Sequence, residues 1–247
     1  MSGHSKWSSI KHKKAAQDAR RGKLFAKLLR AVEVAARQGG GEPAGNPALA
    51  QAIEKAKAAS VPIDNIDRAI KRGTGEAEGA HYEEAWYEGY APGGVALYVQ
   101  VLTDNRNRAA SDVRSAFTRG GGSLGEPGSV SYVFEPKGYL LVSGDEDEDE
   151  VMMAALEGGA EDVRATEDVW EVVSEPADLQ GVRQRLAEAE LEVVSAELVQ
   201  LPRSTVPVEA SVAPRVLRLI ESLEDLDDVQ SVYANFDIPE EVLAQVG

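Results

Sequence analysis

The sequence predicts an α+β protein of three domains: an N-terminal helical domain followed by two α/β domains of ferredoxin-like type, one inserted in the other. Apolar residues recur every three or four positions in the first 79 residues, which is the period of a helix. From Tyr82 onward, alternating patterns typical of strands are interleaved with short helical ones. Residues 137–204 show the complete order βαββαβ, and 247 residues are enough for two or three domains.

The helical domain is predicted over residues 1–79 from three apolar stripes with start and stop signals. The first stripe is Phe25, Leu28, Leu29, Val32 and Ala36. Gly39 ends that helix, and Asn46-Pro47 is an N-cap followed by a first-turn proline, which starts the second. Pro62 starts a third, short helix that ends at Gly73.

The second domain is predicted from segments on both sides of the βαββαβ unit. EEAWYEGYAP and GVALYVQVLTD are paired strands, NRNRAASDVRSAFTRGGG is a helix and SVSYVFEP is a further strand. The C-terminal helix APRVLRLIESLEDL and strand VQSVYANFDI complete this domain, because a lone helix and strand cannot bury their apolar faces. Its bounds are therefore 80–136 plus 205–247, with 137–204 inserted; the alternative is a linear array with the last two elements appended.

Charge is segregated along the chain. Residues 1–75 carry fifteen Lys/Arg and six Asp/Glu, a net of +9, whereas residues 76–247 carry eleven and thirty-six, a net of −25. Segregation this sharp indicates a polyanionic partner for the basic end rather than a requirement of the fold. The chain has no cysteine, which excludes disulfides, Cys-zinc sites and thiol catalysis. No leader peptide and no apolar run of membrane-spanning length is visible, so we expect a cytoplasmic protein without membrane contact.

Three stretches resemble one known family. GHSKWSSIKHKKAAQDARRGKLFAKL is similar to the opening of the YebC/PmpR family, TDNRNRAASDVRSAFTRGGGSLGEPGSVSYVFEPKG to its central part, and VYANFDIPEEVL to its end. The resemblance implies one helical and two α/β domains and a probable transcriptional regulator that binds DNA. Through a mitochondrial translational activator and bacterial members linked to relief of ribosome stalling, it equally implies ribosomal RNA or the ribosome as a partner.

The basic opening is the main candidate for nucleic-acid contact. Its candidate residues are His4, Lys6, Trp7, Lys11, Lys13, Lys14, Arg20, Arg21, Lys23, Lys27 and Arg30. Lysine and arginine bind phosphate with release of counterions and carry no sequence information by themselves. If the segment is helical, roughly one side of it carries Lys13, Arg20, Lys23, Lys27 and Arg30. Trp7 could stack on an exposed base. The alternative is a solvated helix face with Trp7 as a docking anchor.

The central helix offers a second candidate surface for anions. Its arginines are Arg106, Arg108, Arg114 and Arg119, for which the sequence suggests only Asp112 as an acidic partner at helical spacing. Arginine suits bidentate phosphate contact. Asp104 and Asn105 are expected to cap this helix. Catalysis is not expected, because the stretch has no nucleophile with an adjacent base.

The remaining motifs are expected to be structural. His4 and His12, with His81 as the only other histidine, are too few for a closed metal shell, so no metal or cofactor is predicted. RGGGSLGEPGS lacks the GK[ST] ending of a phosphate-binding loop and is expected to be a flexible connection. The acids Asp145–Glu150 are expected to start a helix; the alternative is that they compete with nucleic acid for the basic opening.

The sequence thus predicts a non-enzymatic, cytoplasmic regulator that binds nucleic acid. Its acidic domains are expected either to face protein partners or to repel nucleic acid that is not the target. Transcription and translation remain alternative settings. A hydrolase that uses an interdomain cleft is the remote rival, and it has no recognisable triad in this chain.

Overall fold

The computed structural model describes residues 18–166 and 169–238, with side chains from Gly22 onward. Within these ranges the chain forms seven α-helices and ten β-strands. The helices are α1 (Asp18–Gly39), α2 (Pro47–Ala58), α3 (Ile63–Gly73), α4 (Arg106–Arg119), α5 (Glu148–Glu157), α6 (Leu179–Glu188) and α7 (Ala213–Glu224). The strands are β1 (Glu83–Tyr90), β2 (Ala96–Thr103), β3 (Ser123–Leu124), β4 (Phe134–Ser143), β5 (Ala160–Ala165), β6 (Val169–Ser174), β7 (Val193–Pro202), β8 (Val206–Pro207), β9 (Val229–Ala234) and β10 (Phe236–Asp237). None of the described helices combines the length and the apolar character needed to cross a bilayer.

Helices α1, α2 and α3 form the N-terminal helical domain around a core that includes Val32, Leu49 and Ile66. Asn46 fixes the turn between α1 and α2, as its sequence position predicts. Its side-chain oxygen accepts the Leu49 N–H (3.1 Å), and its Nδ2 donates to the Ala35 carbonyl (2.8 Å). One buried amide therefore serves both the end of one helix and the start of the next.

The second domain is a four-stranded antiparallel sheet with the order β3-β1-β2-β9. Helices α4 and α7 pack on it through Phe117 and Leu219, both of which are fully buried in its core. Strand β9 pairs with β2, so that Tyr98 faces Tyr233 across 135 positions of the chain. Strand β9 and helix α7 therefore belong to the sheet and to the core of this domain.

The inserted domain has the order β4-α5-β5-β6-α6-β7, which is βαββαβ. Its strands are arranged β5-β6-β4-β7, all antiparallel, which is the ferredoxin-like topology. Leu140, Val172 and Leu186 are fully buried in its core. Residues Tyr132–Ser204 form one compact unit, and the described residues 18–131 together with 205–238 form the other. The domain bounds given from the sequence, 1–79, 80–136 plus 205–247, and 137–204, stay predictions; the compact unit begins at Tyr132, before residue 137.

Strand β4 differs from its sequence prediction, which placed one strand in SVSYVFEP and a separate first strand of the βαββαβ unit after residue 137. The structure has a 3₁₀ turn at Ser131–Val133 and then one continuous strand. Pro136 is tolerated inside it because β6 begins to pair only at Gly138, so the strand has β7 as its single neighbour at the proline. A proline lacks the N–H of a ladder bond but can lie where one side of a strand is unpaired.

We predict that the stability of an isolated inserted domain depends on whether the fragment includes the whole of β4. A fragment of residues 132–204 will unfold in one cooperative thermal transition, because it keeps the whole of β4 paired with β7. A fragment of residues 137–204 loses the pairing of Phe134 with Pro202 and will melt at a lower temperature. Circular dichroism on both fragments tests this, and equal melting temperatures would show that the first residues of β4 contribute nothing.

The glycine-rich stretch after α4 is held in place, in contrast to the flexible connection that its composition predicts. Part of it is β3, which pairs with β1. The carboxylate of Glu88 accepts the backbone N–H groups of Gly128, Val130 and Ser131 at 2.8, 2.7 and 2.8 Å. Burial by itself would raise the pKa of Glu88, but these hydrogen bonds outweigh it and lower the pKa below its ordinary value.

The acidic run begins α5, as predicted. The Asp147 carboxylate caps the helix by accepting the N–H groups of Asp149 and Glu150 at 3.0 and 3.2 Å. Three further acids occupy the first turn, where the helix dipole favours negative charge.

Candidate nucleic-acid interface

The predicted interface falls partly outside the part of the chain that the structure describes. His4, Lys6, Trp7, Lys11, Lys13 and Lys14 lie outside it. Arg20 and Arg21 belong to α1, but their side chains are not among those described. The structure therefore gives side-chain geometry for Lys23, Lys27 and Arg30.

These three cations follow one another along α1 at four- and three-residue spacing, which places them on one side of the helix. Lys23 Nζ donates to the Asp225 carbonyl at 3.2 Å, and Lys27 Nζ donates to the Glu224 carbonyl. Both carbonyls lie at the C-terminus of α7, where a helix exposes carbonyl groups without intrahelical partners and carries partial negative charge. This side of α1 thus binds an electronegative end within the same chain.

Arg30 continues the contact onto the loop that follows α7. Its Nη1 lies 2.8 Å from Asp228 Oδ1 and 2.9 Å from the carbonyl oxygens of Leu102 and Asp227. Its guanidinium also lies 4.8 Å from the centre of the Tyr82 ring, within range of a cation–π contact. Arg30 therefore links the helical domain to β2 and to the start of β9.

Asp228 is the centre of this contact. It is 7% exposed, and it binds groups from three elements. Besides Arg30, Thr103 Oγ1 and Arg108 Nη2 donate to its Oδ2, each at 2.8 Å. Burial would raise the pKa of Asp228, but the hydrogen bonds from Arg108 and Thr103 and the two positive charges lower the pKa below the usual aspartate range. We call Arg30, Thr103, Arg108 and Asp228 the Asp228 cluster.

The arginines of α4 do not form a uniform surface. Arg108 is also paired with Asp104 at 2.7 Å, four residues earlier, so the expectation of Asp112 as its acidic partner is wrong. Arg106 Nη1 lies 3.6 Å from Glu83 Oε2. Arg114 and Arg119 are exposed and form no ion pair with the side chains that the structure describes. Asn105 caps α4 by accepting the Arg108 N–H at 3.1 Å, as predicted.

Comparison with known proteins identifies the family. The sequence model described as TACO1/YebC protein N-terminal domain matches residues 5–76, and that described as TACO1/YebC second and third domain matches residues 82–236. The chain belongs to the TACO1/YebC family. The family resemblance of the sequence is thereby confirmed.

Several relatives within the TACO1/YebC family cover the whole chain. Proteins named probable transcriptional regulatory protein from Rubrobacter xylanophilus and Beutenbergia cavernae are each 60% identical, over 100% of this chain and 99% of the relative. A crystal structure of a conserved hypothetical protein from Aquifex aeolicus is 50% identical, with a TM-score of 0.84 over 92% of this chain and 94% of that one.

In this TACO1/YebC chain α4 carries both an ion-paired arginine, Arg108, and exposed arginines such as Arg119, and we predict different effects on stability when each is replaced. Replacing Arg108 by Gln will lower the melting temperature by a few degrees, because Asp228 then loses one of its two positive partners. Replacing Arg119 by Gln will leave it nearly unchanged, since Arg119 is an exposed residue on the same helix. Differential scanning calorimetry compares the two variants, and equal shifts would contradict the structural role of Arg108.

No group of three His, Cys, Asp or Glu side chains within residues 18–166 and 169–238 is placed to hold a metal ion. Ser111 and Asp112, which are neighbours in the sequence of α4, are both exposed.

Proposed function

We propose that this TACO1/YebC chain is a non-enzymatic, cytoplasmic regulator of gene expression that binds nucleic acid through its basic N-terminal segment, with DNA as the first candidate. The observation that carries the proposal is the charge segregation of +9 in residues 1–75 against −25 in the remainder. Salt at physiological strength screens charges beyond about 8 Å, so a bound polyanion responds to the local positive charge. The regulatory name of the relatives supports the proposal.

The geometry of α1 supports a division of labour among the basic residues. Lys23, Lys27 and Arg30 bind acceptors within the chain and so hold α1 against the second domain. We assign phosphate contact to the six Lys/Arg residues before Gly22. Asp18 is the single acidic residue in that segment. Arg114 and Arg119 form a smaller second anion surface in this proposal.

A salt titration tests nucleic-acid binding directly. The full chain is titrated into fluorescein-labelled duplex DNA, and in parallel into single-stranded RNA of equal length, between about 50 and 200 mM salt. We expect the logarithm of the affinity to fall linearly with the logarithm of the salt concentration, by about 0.7–0.9 for each phosphate neutralised. Absence of binding to both probes at the lowest salt would overturn the proposal.

A translation factor that associates with ribosomal RNA is the second candidate. It is favoured by Trp7, which stands directly after Lys6 in the basic opening. An aromatic side chain among cations is a common device for stacking on unpaired bases. Co-sedimentation with purified ribosomes, and crosslinking followed by sequencing of the bound DNA and RNA, separates the two. Enrichment of ribosomal RNA over DNA would favour translation, and the reverse would favour transcription.

A further inference from the structure

Helix α5 of the inserted domain exposes an apolar surface. Met152, Met153 and Leu156 are 38%, 60% and 55% exposed, whereas Val151, Ala154 and Ala155 of the same helix pack into the core. Met153 and Leu156 are one turn apart and so lie side by side on the outward surface, with Met152 beside them. We call these three residues the α5 patch.

Acidic side chains surround the α5 patch. Asp149 and Glu150 lie one turn before Met153 on the helix, and Glu157 lies one turn after it; all three are exposed. The unit that carries the patch, Tyr132–Ser204, contains nineteen Asp/Glu and five Lys/Arg, a net of −14. The patch is thus an apolar stripe within a strongly negative surface.

The acidic side chains around the α5 patch, which we call the acidic rim, distinguish among the molecules that could bind there. A second copy that packed the same patch across a two-fold axis would set acids against acids. An anionic membrane surface or a nucleic acid would be repelled in the same way. A cationic protein segment would be attracted by the rim and would bury the apolar stripe. Methionine suits such a surface, because its flexible, polarizable side chain adapts to a partner.

We propose that the α5 patch docks a cationic amphipathic helix of a partner protein. Such a helix presents apolar side chains at i, i+3, i+4 and i+7 to the stripe, and Lys or Arg on its flanks to the acidic rim. This contact is separate from the proposed nucleic-acid segment, so the chain would join a nucleic acid to a basic protein. The two contacts can therefore fail independently in an experiment.

The test uses the full chain and two synthetic peptides of leucine and lysine, each about five helical turns long. One peptide places its leucines on one side of the helix, and the other has the same composition in scrambled order. We expect the amphipathic peptide to bind the full chain more tightly than the scrambled one by isothermal titration calorimetry. The double variant Met153→Gln with Leu156→Gln should weaken that binding by about tenfold or more, since both anchors are lost.

Two sets of control variants isolate the two parts of the surface. Ile63→Gln removes an apolar side chain that is 62% exposed in the other compact unit, and it should leave peptide binding unchanged. Asp149→Asn with Glu157→Gln should weaken binding and reduce its salt dependence. Glutamine and methionine have similar helix propensities, so α5 should keep its helical content, which circular dichroism checks.

Three results would overturn the proposal. The first is equal affinity for the two peptides, and the second is unchanged affinity in the Met153→Gln, Leu156→Gln variant; either would show nonspecific attraction between charges. The third is a dimer in sedimentation velocity that Leu156→Gln dissociates, which would assign the patch to a second copy of the chain.

Discussion

Replacing Asp228 by Asn will lower the free energy of unfolding of the compact unit that contains it, residues 18–131 with 205–238, by about 3 kcal/mol. The substitution leaves the largely buried Arg30 guanidinium without its negative partner. Asp228 is 7% exposed and accepts from Arg30, Thr103 and Arg108. An asparagine keeps the size of the side chain but replaces one acceptor oxygen with a donor that faces other donors. Urea unfolding followed by circular dichroism measures the loss.

The neighbouring Asp227 provides a matched control. Its side chain is 75% exposed, and its ion pair with Lys23 spans 3.8 Å. Asp227→Asn should change stability by less than about 0.5 kcal/mol, as expected for an exposed pair. Amide hydrogen exchange locates the effect: in Asp228→Asn, α1 and the end of β2 should lose protection while residues 132–204 keep theirs. Equal losses in both units would contradict a local role for the Asp228 cluster.

The pH dependence of this variant follows from the pKa of Asp228. The folded-state pKa lies below the ordinary aspartate value, so the folded protein binds fewer protons on this group than the unfolded chain does. The stabilisation is therefore complete above the unfolded pKa of about 3.9 and is lost as the pH falls through the folded pKa. The stability difference between the wild type and Asp228→Asn should shrink on acidification, and a difference that is constant with pH would show that charge is not its cause.

Local signals in the sequence were sufficient to predict most elements of the fold. The stripe of Val32 and Ala36 is the buried side of α1, and Asn46 and Asn105 cap the helices that they precede. Such features follow from helical periodicity and from hydrogen bonds within a few residues. The inserted topology was predictable for a different reason, because α7 and β9 could not bury their apolar faces without the earlier sheet.

The long-range polar contacts were not predictable in the same way. Asp228 meets Arg30 across 198 positions and Arg108 across 120 positions. Glu88 meets the N–H of Val130 across 42 positions. A single sequence contains no periodic signal for such pairs, because they depend on how separate elements pack. From the sequence alone, an acidic residue in a loop between a helix and a strand is predicted to be exposed, because its distant partners are not known.

The same reason limits the prediction of the basic surface. Periodicity placed Lys23, Lys27 and Arg30 on one side of a helix, which the structure shows, but it could not say what that side contacts. In the fold, the side meets the C-terminus of α7, an electronegative group made of backbone carbonyls. A stripe of cations therefore has two physical explanations, phosphate contact and helix-end contact, and the spacing alone fits both.

Deleting residues 1–21 separates these explanations and should abolish binding to nucleic acid. The segment contains six Lys/Arg and one acid, and if each cation neutralises one phosphate, its loss lowers the salt slope by about four to five. We expect affinity for duplex DNA and for RNA to fall by at least about a hundredfold in low salt. The fold should persist, because the contacts of Lys23, Lys27 and Arg30 with the second domain are retained. Fluorescence anisotropy measures binding, and circular dichroism checks the fold.

A full-length variant with Lys23→Gln and Lys27→Gln is the matched control for that deletion. These two lysines bind carbonyl oxygens at the end of α7, so their replacement should lower the melting temperature and leave the salt slope unchanged. If the slope instead falls by about 0.7–0.9 for each lysine, this side of α1 also contacts phosphate, and the interface extends beyond residue 21. If the truncated chain binds as tightly as the intact one at the same salt concentration, the basic opening is not the contact. The exposed Arg114 and Arg119 would then be the next residues to replace.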